Sequence, residues 1–165
     1  MKCSCHEFED NYPECTFCQT GKLIVAEENK RKYILNNKAQ KKICKIRIDG
    51  GVIDSQTQSK CDYMMVVCQS DKGSQTTDSG EIVYLIELKG KDLIKAVEQL
   101  TQTMTYFDYE NNPQVFARAV VSKVTEPKSS IDIDSRVVKL RKMLKKYGGD
   151  FAYGSGQYDK DVVAE

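Results

Sequence analysis

The chain has 165 residues, 40% of them hydrophobic and 30% charged, with a formal net charge of +1. That length holds one domain with a sizeable core and leaves little room for a second. No apolar run approaches a membrane-spanning length, and near-neutrality supplies no global attraction to nucleic acid, so any such binding falls to local patches.

The first eighteen residues contain Cys3-x-Cys5-His6 and Cys15-x-x-Cys18, five soft or borderline ligands that include the only histidine. Four ligands suffice for a structural Zn²⁺, and the stretch between His6 and Cys15 is long enough to loop back and close a tetrahedral site. Such a metal would dock this arm and would not catalyse. The alternative is an arm whose thiols stay reduced. No apolar secretory stretch follows Met1 to His6, so a cytoplasmic location with reduced cysteines and no structural disulfides is expected. Cys44, Cys61 and Cys68 lie in apolar strand contexts and read as small core residues. Residues 1–20 are thus a Cys-rich arm, 21–153 a folded core and 154–165 a flexible acidic tail.

Between Gly21 and Asn37, the apolar positions Leu23, Val25, Ala26, Tyr33, Ile34 and Leu35, with Glu27, Glu28, Lys30, Arg31 and Lys32 among the polar ones, make a loosely amphipathic pattern that predicts a helix. Lys42 to Ile48 alternates apolar with basic residues, as a half-buried strand does. Asp49-Gly50-Gly51 then turns toward a short return strand at Val52-Ile53. Two apolar runs, Asp62 to Cys68 and Ile82 to Leu88, flank a segment rich in Ser, Thr, Gly and Asp that reads as a long hairpin loop. Antiparallel pairing brings Asp62 beside Glu87 to Lys89.

Leu93, Val97, Leu100 and Met104 recur at helical spacing after Asp92, predicting a helix of about four turns. Gln114 to Val124 reads as a further strand. Asp134-Ser135 caps a helix with the stripe Val137, Leu140, Leu144 and Tyr147, ended by Gly148-Gly149, and Phe151 to Tyr153 adds an edge strand. The fold class expected is α/β, a central mixed sheet of four to five strands flanked by helices. Basic residues concentrate in 38–47 and 136–146, where a phosphate backbone can lie.

Glu87-Leu88-Lys89 closes the most apolar run of the chain, and residues at i and i+2 of a strand share a face. The chain has two other Glu-x-Lys triplets, Glu28 to Lys30 and Glu126 to Lys128, and neither closes a buried-strand pattern.

With Asp62, Glu87 and Lys89 at its acidic, acidic and basic positions, the chain resembles the PD-(D/E)XK nuclease superfamily over residues 22–153, in the order α-β-β-β-α-β of a restriction-endonuclease-like core. The proline that names the motif is absent, and Lys60-Cys61 precedes Asp62. The resemblance implies hydrolysis of phosphodiester bonds in DNA, or else RNA. Asp62 and Glu87 would hold Mg²⁺ or Mn²⁺, helped by the Leu88 backbone carbonyl and by Glu28 or Glu27 of the first helix. Lys89 would orient water or stabilise the transition state. Lys91, Lys95 and Gln99 follow as candidate nucleic-acid contacts. The resemblance also implies a nuclease subunit of a restriction, repair or antiviral defence system, working with an ATPase or recognition subunit. The competing reading is a non-catalytic zinc-bearing or nuclease-like module that recruits or inhibits a partner. Retention of the whole Asp, Glu and Lys triplet favours the nuclease.

Overall fold

The computed structural model describes residues 2–54, 59–68, 81–88, 90–109 and 113–164. A short helix α1 (Cys5–Asn11) leads to β1 (Thr16–Gln19), β2 (Leu23–Glu28), β3 (Arg31–Asn37), β4 (Ile43–Arg47), β5 (Tyr63–Val67) and β6 (Ile82–Glu87). Then come α2 (Leu93–Tyr106), β7 (Gln114–Val121), α3 (Lys128–Ile133), α4 (Ser135–Lys145), β8 (Phe151–Ser155), β9 (Gln157–Tyr158) and β10 (Val162–Val163).

The architecture is α/β, built on a mixed six-stranded sheet in the order β1-β4-β5-β6-β7-β8. β4, β5 and β6 form an antiparallel meander, whereas β6, β7 and β8 run parallel. Parallel neighbours need a crossover, which α2 supplies for β6 to β7, and α3 with α4 for β7 to β8. The sheet separates two apolar clusters. Val83 and Leu85 of β6 face α1, α2 and α4, while Tyr84 and Ile86 face a second, smaller sheet. Burial on both faces explains why β6 is apolar at successive positions. α2 and α4 start where the caps require: Asp92 accepts from the Ile94 and Lys95 amides, and Asp134 from the Arg136 amide.

Several expectations are corrected. The helix expected over residues 21–37 is the hairpin β2–β3. Ile24, Ala26, Tyr33 and Leu35 are buried at every second position, the period of a strand, and Asn29 and Lys30 both take positive φ, as a two-residue hairpin turn demands. One face of the central sheet is therefore covered by this hairpin with β9 and β10, not by a helix, and the central sheet has six strands instead of four to five. Val52-Ile53 forms no return strand. Asp49 and Ile53 make one isolated bridge within a tight turn, where a Cβ on Gly51 would meet the Arg47 carbonyl.

Both ends of the chain belong to the fold. Phe8 is fully buried against Phe107, and β1 pairs with β4, so the N-terminal arm completes the sheet edge. Residues 154–164, expected to be a flexible tail, extend β8 and then form β9 and β10 beside β3. Their anchor is Asp161, whose Oδ2 accepts from Arg118 Nε at 2.7 Å and from the Tyr33 hydroxyl at 2.7 Å. No helix among the described residues is long and apolar enough to cross a membrane.

Candidate functional site

β5 and β6 pair with Tyr63 opposite Ile86, so the next step of the same register sets Asp62 opposite Glu87. Both side chains turn to the helix side of the sheet, in line with Met64 and Leu85. Glu87 is fully buried and Asp62 is 3% exposed. The Leu88 amide donates to Asp62 Oδ2 at 2.8 Å, which sets the carboxylate's orientation. Cys61 lies against the same pair: burial pushes its thiol well up, and the Glu87 charge is the next cause. Lys89, the third member of the triplet, lies outside the described residues.

Helix α2 holds the segment that leads into β5. Thr103 Oγ1 accepts from the Cys61 amide at 2.7 Å, and Gln99 Nε2 donates to the Lys60 carbonyl at 3.5 Å. Residues four apart on a helix share a face, so the two side chains act together in placing Asp62. Gln99, expected at nucleic acid, is engaged with the protein's own backbone. Lys91 and Lys95 are exposed around the start of α2.

From the other layer, the β2–β3 turn reaches the same strand end. Arg31 Nη1 donates to the Leu88 carbonyl at 3.3 Å, using one of the two lone pairs on the oxygen expected to bind metal. Glu28, across the turn from Arg31, lies near Tyr63: burial raises the pKa of the Tyr63 hydroxyl, followed by the Glu28 charge, with Arg47 opposing and Asp62 adding to it. Glu28 thus arrives on a hairpin and not on the expected helix, and from the opposite face of the sheet to Asp62 and Glu87. Leu88 joins the two sides, its N–H to Asp62 and its carbonyl to Arg31. Arg31, Tyr63 and Thr103 escape sequence reasoning. Arg31 and Tyr63 carry no motif, and Thr103 is a polar residue within the apolar stripe of α2.

The basic segments are partly spent on local contacts. Lys42 pairs with Glu9 at 2.8 Å, Arg136 with Asp134 at 2.9 Å and with Glu98 at 3.1 Å, and Arg141 with Asp132 at 2.8 Å. Lys45 donates to the Val25 carbonyl at 2.9 Å, fastening one sheet to the other, and burial lowers its pKa.

The cysteines do not form the expected N-terminal zinc set. Cys5 is disulfide-bonded to Cys68 and Cys18 to Cys44, contrary to the expectation of reduced cysteines. Cys3 is buried with its thiol 3.4 Å from Met64 Sδ, His6 is exposed, and Cys15 packs against the Gly51 turn. Of the five residues expected as ligands, only Cys5 and Cys18 meet cysteine partners, and those partners are Cys44 and Cys68, two residues read as plain core. Sheet register decides this, because Cys18 faces Cys44 across β1 and β4. The sulfurs of Cys5, Cys44 and Cys68 lie within 4.8 Å of one another, a grouping able to hold a metal ion.

No protein-family model, curated protein or solved structure matches this chain.

Proposed function

We propose that the chain is a metal-dependent nuclease that hydrolyses phosphodiester bonds of DNA, with Asp62 and Glu87 as ligands of Mg²⁺ or Mn²⁺ and Lys89 acting at the reacting phosphate. The observation that carries the reading is the opposition of Asp62 and Glu87 on one face at the end of a buried strand pair. Two carboxylates set opposite one another at a strand end are an arrangement suited to binding a divalent cation. The reading is supported by the element order, in which the meander β4–β5–β6 is followed by the crossover α2 and the parallel strand β7, with a hairpin where the leading helix is expected.

The donor set fits the cation. The two carboxylates are hard oxygen donors, suited to Mg²⁺ or Mn²⁺ and poorly suited to soft metals, while the Leu88 carbonyl, expected as a further ligand, is engaged by Arg31. When bound, such a cation supplies a Lewis acid for a phosphate oxygen and lowers the pKa of a water ligand. The Leu88 amide keeps Asp62 in one orientation, and Thr103 and Gln99 hold the backbone before it, so the carboxylate is placed before substrate arrives. Lys89 orients the attacking water and offsets the negative charge that develops at phosphorus. Arg31 acts as a positioning residue through the Leu88 carbonyl. A net charge of +1, with several basic side chains already paired, suits an enzyme that takes its specificity from a recognition or ATPase subunit.

The test is cleavage of circular and linear DNA, single- and double-stranded, and of RNA, in Mg²⁺, Mn²⁺ or EDTA. Glu87→Ala and Lys89→Ala are prepared alongside. Cutting that needs the metal and disappears in both variants is expected. No cutting by the wild type, even with whole-cell extract or a co-purifying partner added, would overturn the proposal in favour of a non-catalytic module.

A further inference from the structure

The two disulfides are neighbours. Cys44 Sγ lies 3.4 Å from Cys68 Sγ although each is bonded to a different cysteine, so the sulfurs of Cys5, Cys18, Cys44 and Cys68 form one continuous cluster. They come from four separate segments: the first residue of α1, β1, β4 and the position after β5. Cys18 and Cys44 are directly opposed across β1 and β4. Cys68, whose amide donates to the Lys42 carbonyl, is the diagonal neighbour of Cys44 on the same face. α1 lies over that face and lowers Cys5 onto it.

We infer that Cys5, Cys18, Cys44 and Cys68 are the ligands of a single structural Zn²⁺ in the reduced protein, and that the paired disulfides are the oxidised form of the same site. A tetrahedral ion with Zn–S bonds of about 2.3 Å requires sulfurs about 3.8 Å apart. The Cys44–Cys68 contact is already close to that edge and Cys5, Cys44 and Cys68 lie within 4.8 Å of one another, while the Cys18 sulfur, which meets Cys44 and Glu9, has to swing toward Cys5 and Cys68 to complete the set; β1, β4 and β5 can stay in register throughout. The balance is simple. Two equivalents of a dithiol reductant deliver four electrons and four protons, giving four thiols and two oxidised dithiols. Binding of Zn²⁺ then releases the four protons and leaves a tetrathiolate of charge −2. Glu9, whose carboxylate lies within 4.8 Å of the Cys18 and Cys44 sulfurs, has its charge balanced by the Lys42 ammonium at 2.8 Å.

The other cysteines are unsuited to the role. The Cys3 and Cys61 thiols are buried against Met64 and the Tyr63 carbonyl, surroundings that disfavour thiolate, and Cys15 is at the Gly51 turn. All four zinc positions are filled by protein, so the ion ties α1 and β1 to the edge of the central sheet and takes no part in hydrolysis. The zinc site stands independently of the nuclease reading.

The full-length chain is reduced with a dithiol, desalted without oxygen and loaded with Zn²⁺ or Co²⁺. One tightly held ion per chain is expected, with sulfur-to-cobalt charge-transfer bands and the visible bands of tetrahedral Co²⁺ in the cobalt form. Cys3→Ala, His6→Ala and Cys15→Ala should leave stoichiometry and spectrum unchanged, while Cys44→Ser and Cys68→Ser should each lose the four-sulfur spectrum and bind at least tenfold more weakly. Cys68, at the margin of the sheet, serves as the readout if Cys44→Ser fails to fold. Absence of stoichiometric metal in reduced wild type would overturn the inference, as would metal that survives both serine substitutions but is lost with Cys3 or Cys15.

Discussion

Arg118 on β7 and the Asp62–Glu87 pair on β5 and β6 are buried in the same sheet, but the charges that face each other differ in sign. Arg118 is 4% exposed; its Nε and Nη2 meet Asp161 at 2.7 and 3.0 Å, and its Nη1 meets Asp150 at 2.8 Å. The guanidinium also lies over the Phe116 and Tyr158 rings, at 5.2 and 5.7 Å from their centroids. Here desolvation is offset by opposite charge, bidentate geometry and aromatic faces, and the product is mechanical: the last residues are locked against β3. At the end of β5 and β6, by contrast, one carboxylate opposes another. That adjacency is the one on which the proposed cation site rests.

The largest effect that sharpens this contrast is on activity. Asp62→Asn and Glu87→Gln keep shape and remove like-charge repulsion, so cleavage should fall roughly 10²–10³-fold while the melting temperature holds or rises. Either variant losing stability while still cutting would break the comparison. Next in size, Asp161→Ala leaves a buried guanidinium with half its partners, and urea denaturation should show a loss of about 3–5 kcal/mol. Its cleavage rate per folded molecule should match wild type.

A smaller effect concerns alkaline pH. Tyr84, between the two layers, has its hydroxyl pushed up from 10.0 to about 12, with burial as the main cause. The folded state keeps that proton where the unfolded chain sheds it, so the contribution is complete below pH 10 and is lost as pH rises through about 12. Denaturation midpoints between those values should fall with pH, and Tyr84→Phe should flatten the slope. Smaller still is the effect at the turn that carries Glu28 and Arg31. Lys30 sits at φ 66, a conformation that burdens any side chain, so Lys30→Gly should stabilise by about 0.5–1 kcal/mol without altering cleavage.

Parts of the site differ in how legible they are in the sequence. Asp62 and Glu87 can be paired from sequence alone because two apolar runs with a polar loop between them allow few arrangements, and the antiparallel one sets the beginning of the first against the end of the second. Glu28 is a candidate there for the wrong reason, since a helix is expected where a hairpin brings it in. Thr103 and Gln99 give no usable signal as supports of residues 60–61, because a side-chain to backbone bond spanning some forty residues leaves no trace in local periodicity.

The elements that can be read from the chain unaided are those with a local cause. β6 is apolar at successive positions because both its faces are covered, and α2 and α4 begin at Asp92 and Asp134 because helix amides need a carboxylate cap. Three features come from tertiary packing alone: residues 23–37 lie flat on the sheet as strands, Asp161 crosses 43 positions to reach Arg118, and Cys5, Cys18, Cys44 and Cys68 share one corner. In each case the chain offered locally acceptable alternatives, and the choice fell to packing and strand register, which act between residues far apart in sequence.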